Sequence, residues 1–161
     1  MIIKFHHHRM NKTIPYLSVD IKYSIIFVII IYLNPILTGC STTNAIQNIN
    51  PSGDKLLYYA DQYREISSLM VDNYLEDDYD SINTLLYEAV DIAQNVKNLD
   101  VDKEFEQART YAENWMYSDA YWFYLAISGG SQATMDNAFE DSMDYLTLFL
   151  TEMELFGYEF K

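Results

Sequence analysis

The sequence predicts an all-α protein, a four-helix up-down-up-down bundle over residues 54–161 that follows a leader and a polar linker. Three observations predict it. Apolar residues recur at i, i+3, i+4 and i+7 in four separate stretches, the spacing of one helix face. No stretch alternates strictly between apolar and polar residues, as a half-buried strand does. Short polar or glycine-bearing connections join the stretches, and short connections make sequential helices antiparallel neighbours.

The first helix is expected from about Asp54 to Leu75, with Leu56, Tyr59, Ala60, Tyr63, Ile66, Met70 and Tyr74 on one face. Asp61, Glu65 and Asp72 lie opposite. The run Glu76 to Asp80 breaks the pattern, and it offers a capping oxygen and negative charge to the next helix N-terminus. The second helix, about Ser81 to Lys97, should bury Ile82, Leu85, Leu86, Ala89, Ile92, Ala93 and Val96. Asn98-Leu99-Asp100 is the turn. The third starts near Val101, capped by Asp100 or Asp102, and stops at Ser128-Gly129-Gly130, a helix terminator. The fourth, about Gln132 to Phe156, should bury Met135, Phe139, Met143, Leu146, Phe149, Leu150 and Met153 before Gly157 ends it. Two αα-hairpins of a tetratricopeptide-like array are the alternative, but the roughly 34-residue self-similarity of such arrays is not evident.

The leader has the parts of a secretory signal. Lys4, Arg9, Lys12 and Lys22 make its start basic, and the apolar run Ile25 to Leu37 is 13 residues long. A membrane-spanning helix needs about 20 apolar residues, and Pro35 disfavours a continuous helix there. Asp20 lies inside a long basic region, and a start at Met10 would give it a more ordinary length. The run ends in Leu37-Thr38-Gly39-Cys40, which resembles the lipobox of prokaryotic lipoproteins. The resemblance covers the leader and Cys40 alone. It implies cleavage between Gly39 and Cys40, diacylglycerol on the Cys40 sulfur, and a location on the outside of the cell membrane or at the outer membrane. The competing expectation is an uncleaved anchor helix.

Residues 41–53 are polar, uncharged and end in Pro51-Ser52-Gly53, so they are expected to form a flexible linker. Such a coil reaches roughly 20 Å. From Cys40 onward the chain has 23 acids against 6 bases, a net charge of −17. That charge repels nucleic acid and anionic headgroups, so the expected membrane attachment is the lipid alone. Cys40 is the only cysteine, and the three histidines, His6 to His8, fall in the leader. The mature part therefore lacks the residues for Ser-His-Asp, Cys-His and His-ligated metal sites. No cofactor is expected.

Three features of the domain could carry chemistry. The acids of Glu76 to Asp80 alternate like a calcium loop, but an EF-hand starting at Glu76 needs Gly where Ser81 stands and Glu where Tyr87 stands. A solvated capping run is the expectation, with no metal. Asp119 falls within the apolar face of Phe105, Ala108, Ala112, Trp115, Trp122 and Ala126. It should be buried and hydrogen-bonded to a Tyr or Trp, and desolvation should disfavour its ionised form. A hydrolase would need a second acid beside it, such as Glu113 or Asp144, within about 5–10 Å. Lastly, Tyr117, Tyr121 and Tyr124 form a second aromatic stripe, nearly opposite that face. A helix apolar on two sides is either central or exposes a contact surface.

The expected function is a non-catalytic, lipid-anchored interaction or structural module of the cell envelope. It would meet an envelope protein or glycan through the tyrosine stripe. A small-ligand or glycan binder with an aromatic groove is the second expectation, and a hydrolase built on Asp119 the third.

Overall fold

The computed structural model describes residues 50–158. The leader, Gly39, Cys40 and most of the linker lie outside the described residues. The described residues form four α-helices: α1 (Pro51–Leu75), α2 (Tyr79–Lys97), α3 (Glu106–Ser128) and α4 (Gln132–Leu155). A single 3₁₀ turn, Lys103–Phe105, leads into α3. The fold is the all-α bundle with antiparallel sequential helices, and the described residues contain no strand.

Local chemistry sets each boundary. Asn50 caps α1 by accepting the Ser52 amide at 2.9 Å, and Pro51 follows at the first helical position, where its missing N–H costs nothing. Residues 51–53, expected to be linker, are therefore helix. Pro51, Ser52 and Gly53 are the first turn of α1, and Ser52 and Gly53 are buried. The reason lies at the far end of the chain. Gly157 takes a left-handed φ of 86° after α4, and Tyr158 then returns over α1. Its hydroxyl donates to the Asn50 carbonyl or to Asp54 Oδ1, each at 3.2 Å. A Cβ on Gly53 would stand 2.2 Å from that hydroxyl, so the close approach requires glycine.

The acidic run is a joint between two helices. Asp77 adopts a left-handed φ of 59°, which Asp tolerates better than most residues. Its amide bonds the Tyr74 carbonyl and the Asp78 amide bonds that of Asn73, closing α1 as a Schellman motif. Asp78 then caps α2, accepting the Ser81 amide at 3.1 Å and the Ser81 hydroxyl at 2.7 Å. These bonds hold the Asp78 carboxyl below its ordinary pKa. At the other end Ser131 caps α4 through the Thr134 amide, and Gly129 ends α3 with a φ of 78°.

The entry to α3 differs from expectation. No side chain caps it, because Asp102 is drawn elsewhere. Asp102 Oδ2 accepts the Ser52 hydroxyl at 3.1 Å, and its amide donates to Ser52 Oγ at 2.9 Å. The turn then buries Phe105, whose ring lies 4.2 Å from that of Phe156.

Helix α3 is the centre of the bundle. It packs against α4, against α2 and, across the bundle, against α1. This position corrects the expected face of α3. Phe123 and Met116 are buried at 2% and 0% exposure, whereas Trp122 is only half-buried. A single-stripe wheel places Trp122 inside, but a helix with neighbours on several sides buries residues around most of its circumference. Small side chains permit the close approach. Ala89 and Ala93 of α2, and Ala108, Ala112, Ala120 and Ala126 of α3, are all buried. On the outer helices the expected faces hold only in part: Tyr59, Ala60, Ile66, Leu85, Ile92, Phe139, Met143, Leu146 and Leu150 are half-buried, and on α4 Ala138 and Ser142 take buried positions beside Met135, Phe149 and Met153.

Candidate functional site

Asp119 sits in the middle of α3 at 7% exposure. Ser67 of α1 donates its hydroxyl to Asp119 Oδ2 at 2.9 Å, and Ser142 of α4 also hydrogen-bonds the carboxyl. Tyr63 places its hydroxyl 3.2 Å from Oδ2 and 2.7 Å from the Met116 carbonyl. One hydroxyl proton serves one acceptor at a time. Burial pushes the Asp119 pKa up to about 6, against the opposing effect of the Ser67, Tyr63 and Ser142 hydrogen bonds. No second charged group contributes to that shift.

The carboxyl pair that a glycoside-type hydrolase requires is therefore not assembled from the expected residues. Glu113 turns to α2, where its Oε1 holds Lys97 Nζ at 2.7 Å. Asp144 is exposed on α4. Of the expected Tyr or Trp partner of Asp119, the tyrosine is present as Tyr63, and the tryptophan is not. Trp115 is 3% exposed, and its Nε1 has no hydrogen-bond acceptor. Its ring instead stacks near Phe149 at 6.1 Å and meets Tyr63 edge-on at 5.3 Å. The serines were missed in the sequence although a signal existed. Ser67 falls between Tyr63 and Met70, and Ser142 between Ala138 and Phe149, each at a core position of its helix. A small hydroxyl residue at a buried helical position needs a polar partner.

The tyrosine stripe divides. Tyr121 and Tyr124 are 45% and 36% exposed, with ring centroids 6.4 Å apart and planes 19° from parallel. Tyr117 is half-buried, and its hydroxyl donates to Gln94 Oε1 of α2 at 3.1 Å. The exposed pair thus sits at the α2–α3 seam, with Tyr117 as its inner footing. Sequence reading gave no role to Tyr87, which is 49% exposed on α2. Its signal was an aromatic residue on a face otherwise occupied by Asp80, Thr84 and Asp91.

Among the described residues no cluster of three His, Cys, Asp or Glu side chains could hold a metal ion, and none of their helices is long and apolar enough to cross a membrane. No known protein family, curated protein or solved structure matches this chain.

Proposed function

We propose that this protein is a non-catalytic, lipid-tethered module of the cell envelope that binds another protein through the exposed tyrosines of α3. The observation that carries the reading is the stacked Tyr121–Tyr124 pair. Large amphipathic rings are left half in water on the helix that otherwise forms the centre of the bundle. Tyrosine supplies contact area at low entropic cost, because only two side-chain torsions need to be fixed. The lipobox-like Leu37 to Cys40 supports the tether, which would confine the surface near an envelope partner and raise its effective concentration. The isolated, hydrogen-bonded Asp119 supports a structural role for the one buried acid.

Two measurements test the reading. Mass spectrometry of the protein purified from cells should find a chain beginning at an acylated Cys40, and a retained leader would refute the tether. A photoreactive residue in place of Tyr121 should cross-link an envelope protein that the same residue at exposed Glu65 on α1 does not reach. Equal cross-linking from both positions would refute the contact surface.

A further inference from the structure

The four helices are not held together equally. α3 packs directly on α4 and on α2. α1 packs chiefly on α2 and more sparsely on α3, and its backbone scarcely approaches that of α4. Side chains of α3 close the space between α1 and α4. Trp115 meets Tyr63 of α1 edge-on at 5.3 Å and stacks at 6.1 Å on Phe149 of α4. One turn on, Asp119 takes a hydrogen bond from Ser67 of α1 at 2.9 Å and another from Ser142 of α4. The α1–α4 side is thus joined through a third helix, by one row of rings and one polar cluster.

The lower end of α1 has a fastening of its own. Ser52 and Asp102 exchange two hydrogen bonds, at 3.1 and 2.9 Å. Asn50 Nδ2 donates to Glu104 Oε1 at 3.0 Å. Tyr158, just past α4, sets its hydroxyl 3.2 Å from the Asn50 carbonyl and from Asp54 Oδ1, and its ring meets Phe105 edge-on at 6.5 Å. Helix ends ordinarily fray. Here the connection before α3 and the residue after α4 both grip the first turn of α1. At its upper end α1 continues into α2 through the joint Glu76–Asp78.

We infer that the α1–α4 side is the seam along which this bundle opens, latched at mid-height by Asp119 with its two serines and at the lower end by Ser52, Asp102 and Tyr158. α1 moves on α2 about the Glu76–Asp78 joint, while α3 stays packed on α4 and α2. Opening uncovers Trp115, Phe149 and Asp119. Little direct helix packing breaks along this line, and water replaces the hydrogen bonds that do, so the opening costs less than unfolding. It does not depend on the lipid tether. In a tethered protein the chain from Cys40 enters α1 at Asn50, so tension on the tether would act first on the lower latch.

Trp115 supplies the reporter. Its Nε1 is enclosed and has no acceptor, so enclosure alone slows exchange of that proton with solvent. Hydrogen exchange of the purified protein, followed by NMR, compares the indole proton with the slowest amides of α3. The indole proton should be at least about 10-fold less protected. The variant Ser52→Ala/Tyr158→Phe removes the hydroxyls of the lower latch, about three turns below Tyr63. It should lower the protection of the indole proton and of the α3 amides in parallel, by about 10-fold, because the latch is lost in the opened and the unfolded chain alike. If the double variant fails to fold by circular dichroism, Tyr158→Phe alone should give the same parallel fall, about 3-fold. Equal protection of the indole proton and the α3 amides in wild type would mean that the seam opens only on unfolding. A fall in the α3 amides alone would mean that solvent reaches Trp115 with the latch closed. No fall in either would mean that these hydroxyls latch nothing. Each of these three results would overturn the inference.

Discussion

Replacing Asp119 by Asn should flatten the pH dependence of stability between about pH 4 and pH 6. The folded state raises the Asp119 pKa from 3.8 to about 6, chiefly by burial. A carboxyl raised in this way holds its proton more tightly folded than unfolded. Its contribution to stability is fully present below the unfolded value and is lost as pH rises through the folded one. Two pKa units correspond to about 3 kcal/mol. The substituted side chain would keep an acceptor oxygen for the serine hydroxyls but could not ionise. Any cost of seating its amide group is the same at every pH. The informative quantity is therefore the difference between wild type and Asp119→Asn, followed by urea unfolding across the range. Subtracting the variant removes the titration of the other acids. Relative to the variant, wild type should lose about 3 kcal/mol between pH 4 and pH 7.5. A flat difference would show that the buried carboxyl is not perturbed. A difference of opposite sign would mean that an unseen cation stabilises the ionised form, and the network around Asp119 would have to be redrawn.

Phe123→Ala should cost about 3–5 kcal/mol and Trp122→Ala distinctly less, despite the larger ring of Trp122, because only Phe123 is fully enclosed; denaturant unfolding of both variants decides it. Asp77→Gly should raise the melting temperature, by about 0.5–1 kcal/mol in free energy, since glycine adopts the left-handed φ without strain and takes a negative charge off a helix C-terminus. Gly53→Ala should destabilise wild type by displacing the Tyr158 ring, yet stabilise a Tyr158→Ala background, where the helix-propensity gain of about 1 kcal/mol is no longer opposed. Additive effects in that double-mutant cycle would mean that Tyr158 does not pack on Gly53.

The helices were legible because their apolar spacing and their punctuation agree. Ser128-Gly129-Gly130 and Gly157 end helices where the chain says they should, and α2 buries most of the stripe its spacing marks, whereas α4 buries only Met135, Phe149 and Met153 of the stripe expected there. Legibility fails where a residue's role depends on a partner far along the chain. Pro51-Ser52-Gly53 has the composition of a turn, and only Tyr158, more than a hundred residues away, makes it the buried start of a helix. Asp102 has the position of a helix cap, yet Ser52 takes its carboxylate. On α3 the wheel located Asp119 inside but misplaced Trp122, because a wheel assumes one buried side and this helix has several.

Asp119 and the tyrosine seam lie on opposite sides of one helix, and the position of each constrains the other. An ionisable side chain at the centre of a bundle is a poor source of stability, since desolvation offsets much of what its hydrogen bonds return. It does discriminate between arrangements. Ser67 on α1 and Ser142 on α4 reach the same carboxyl, so sliding or rotating α3 by one residue would bury that carboxyl without donors. An unsatisfied buried group costs about 1–3 kcal/mol, and more when it is charged. The network therefore fixes the rotation of α3 about its axis. That rotation sets which tyrosines face water. Tyr121 and Tyr124 are presented at the α2–α3 seam because Asp119, on the far side of the helix, has one orientation in which its partners are met. A variant that replaces Asp119, Ser67 and Ser142 together with apolar residues of similar size should then keep its helix content. It should let α3 settle in more than one rotation, seen as broadened or doubled tyrosine ring signals. Sharp, single signals at wild-type positions would show that packing of the apolar core alone orients the helix.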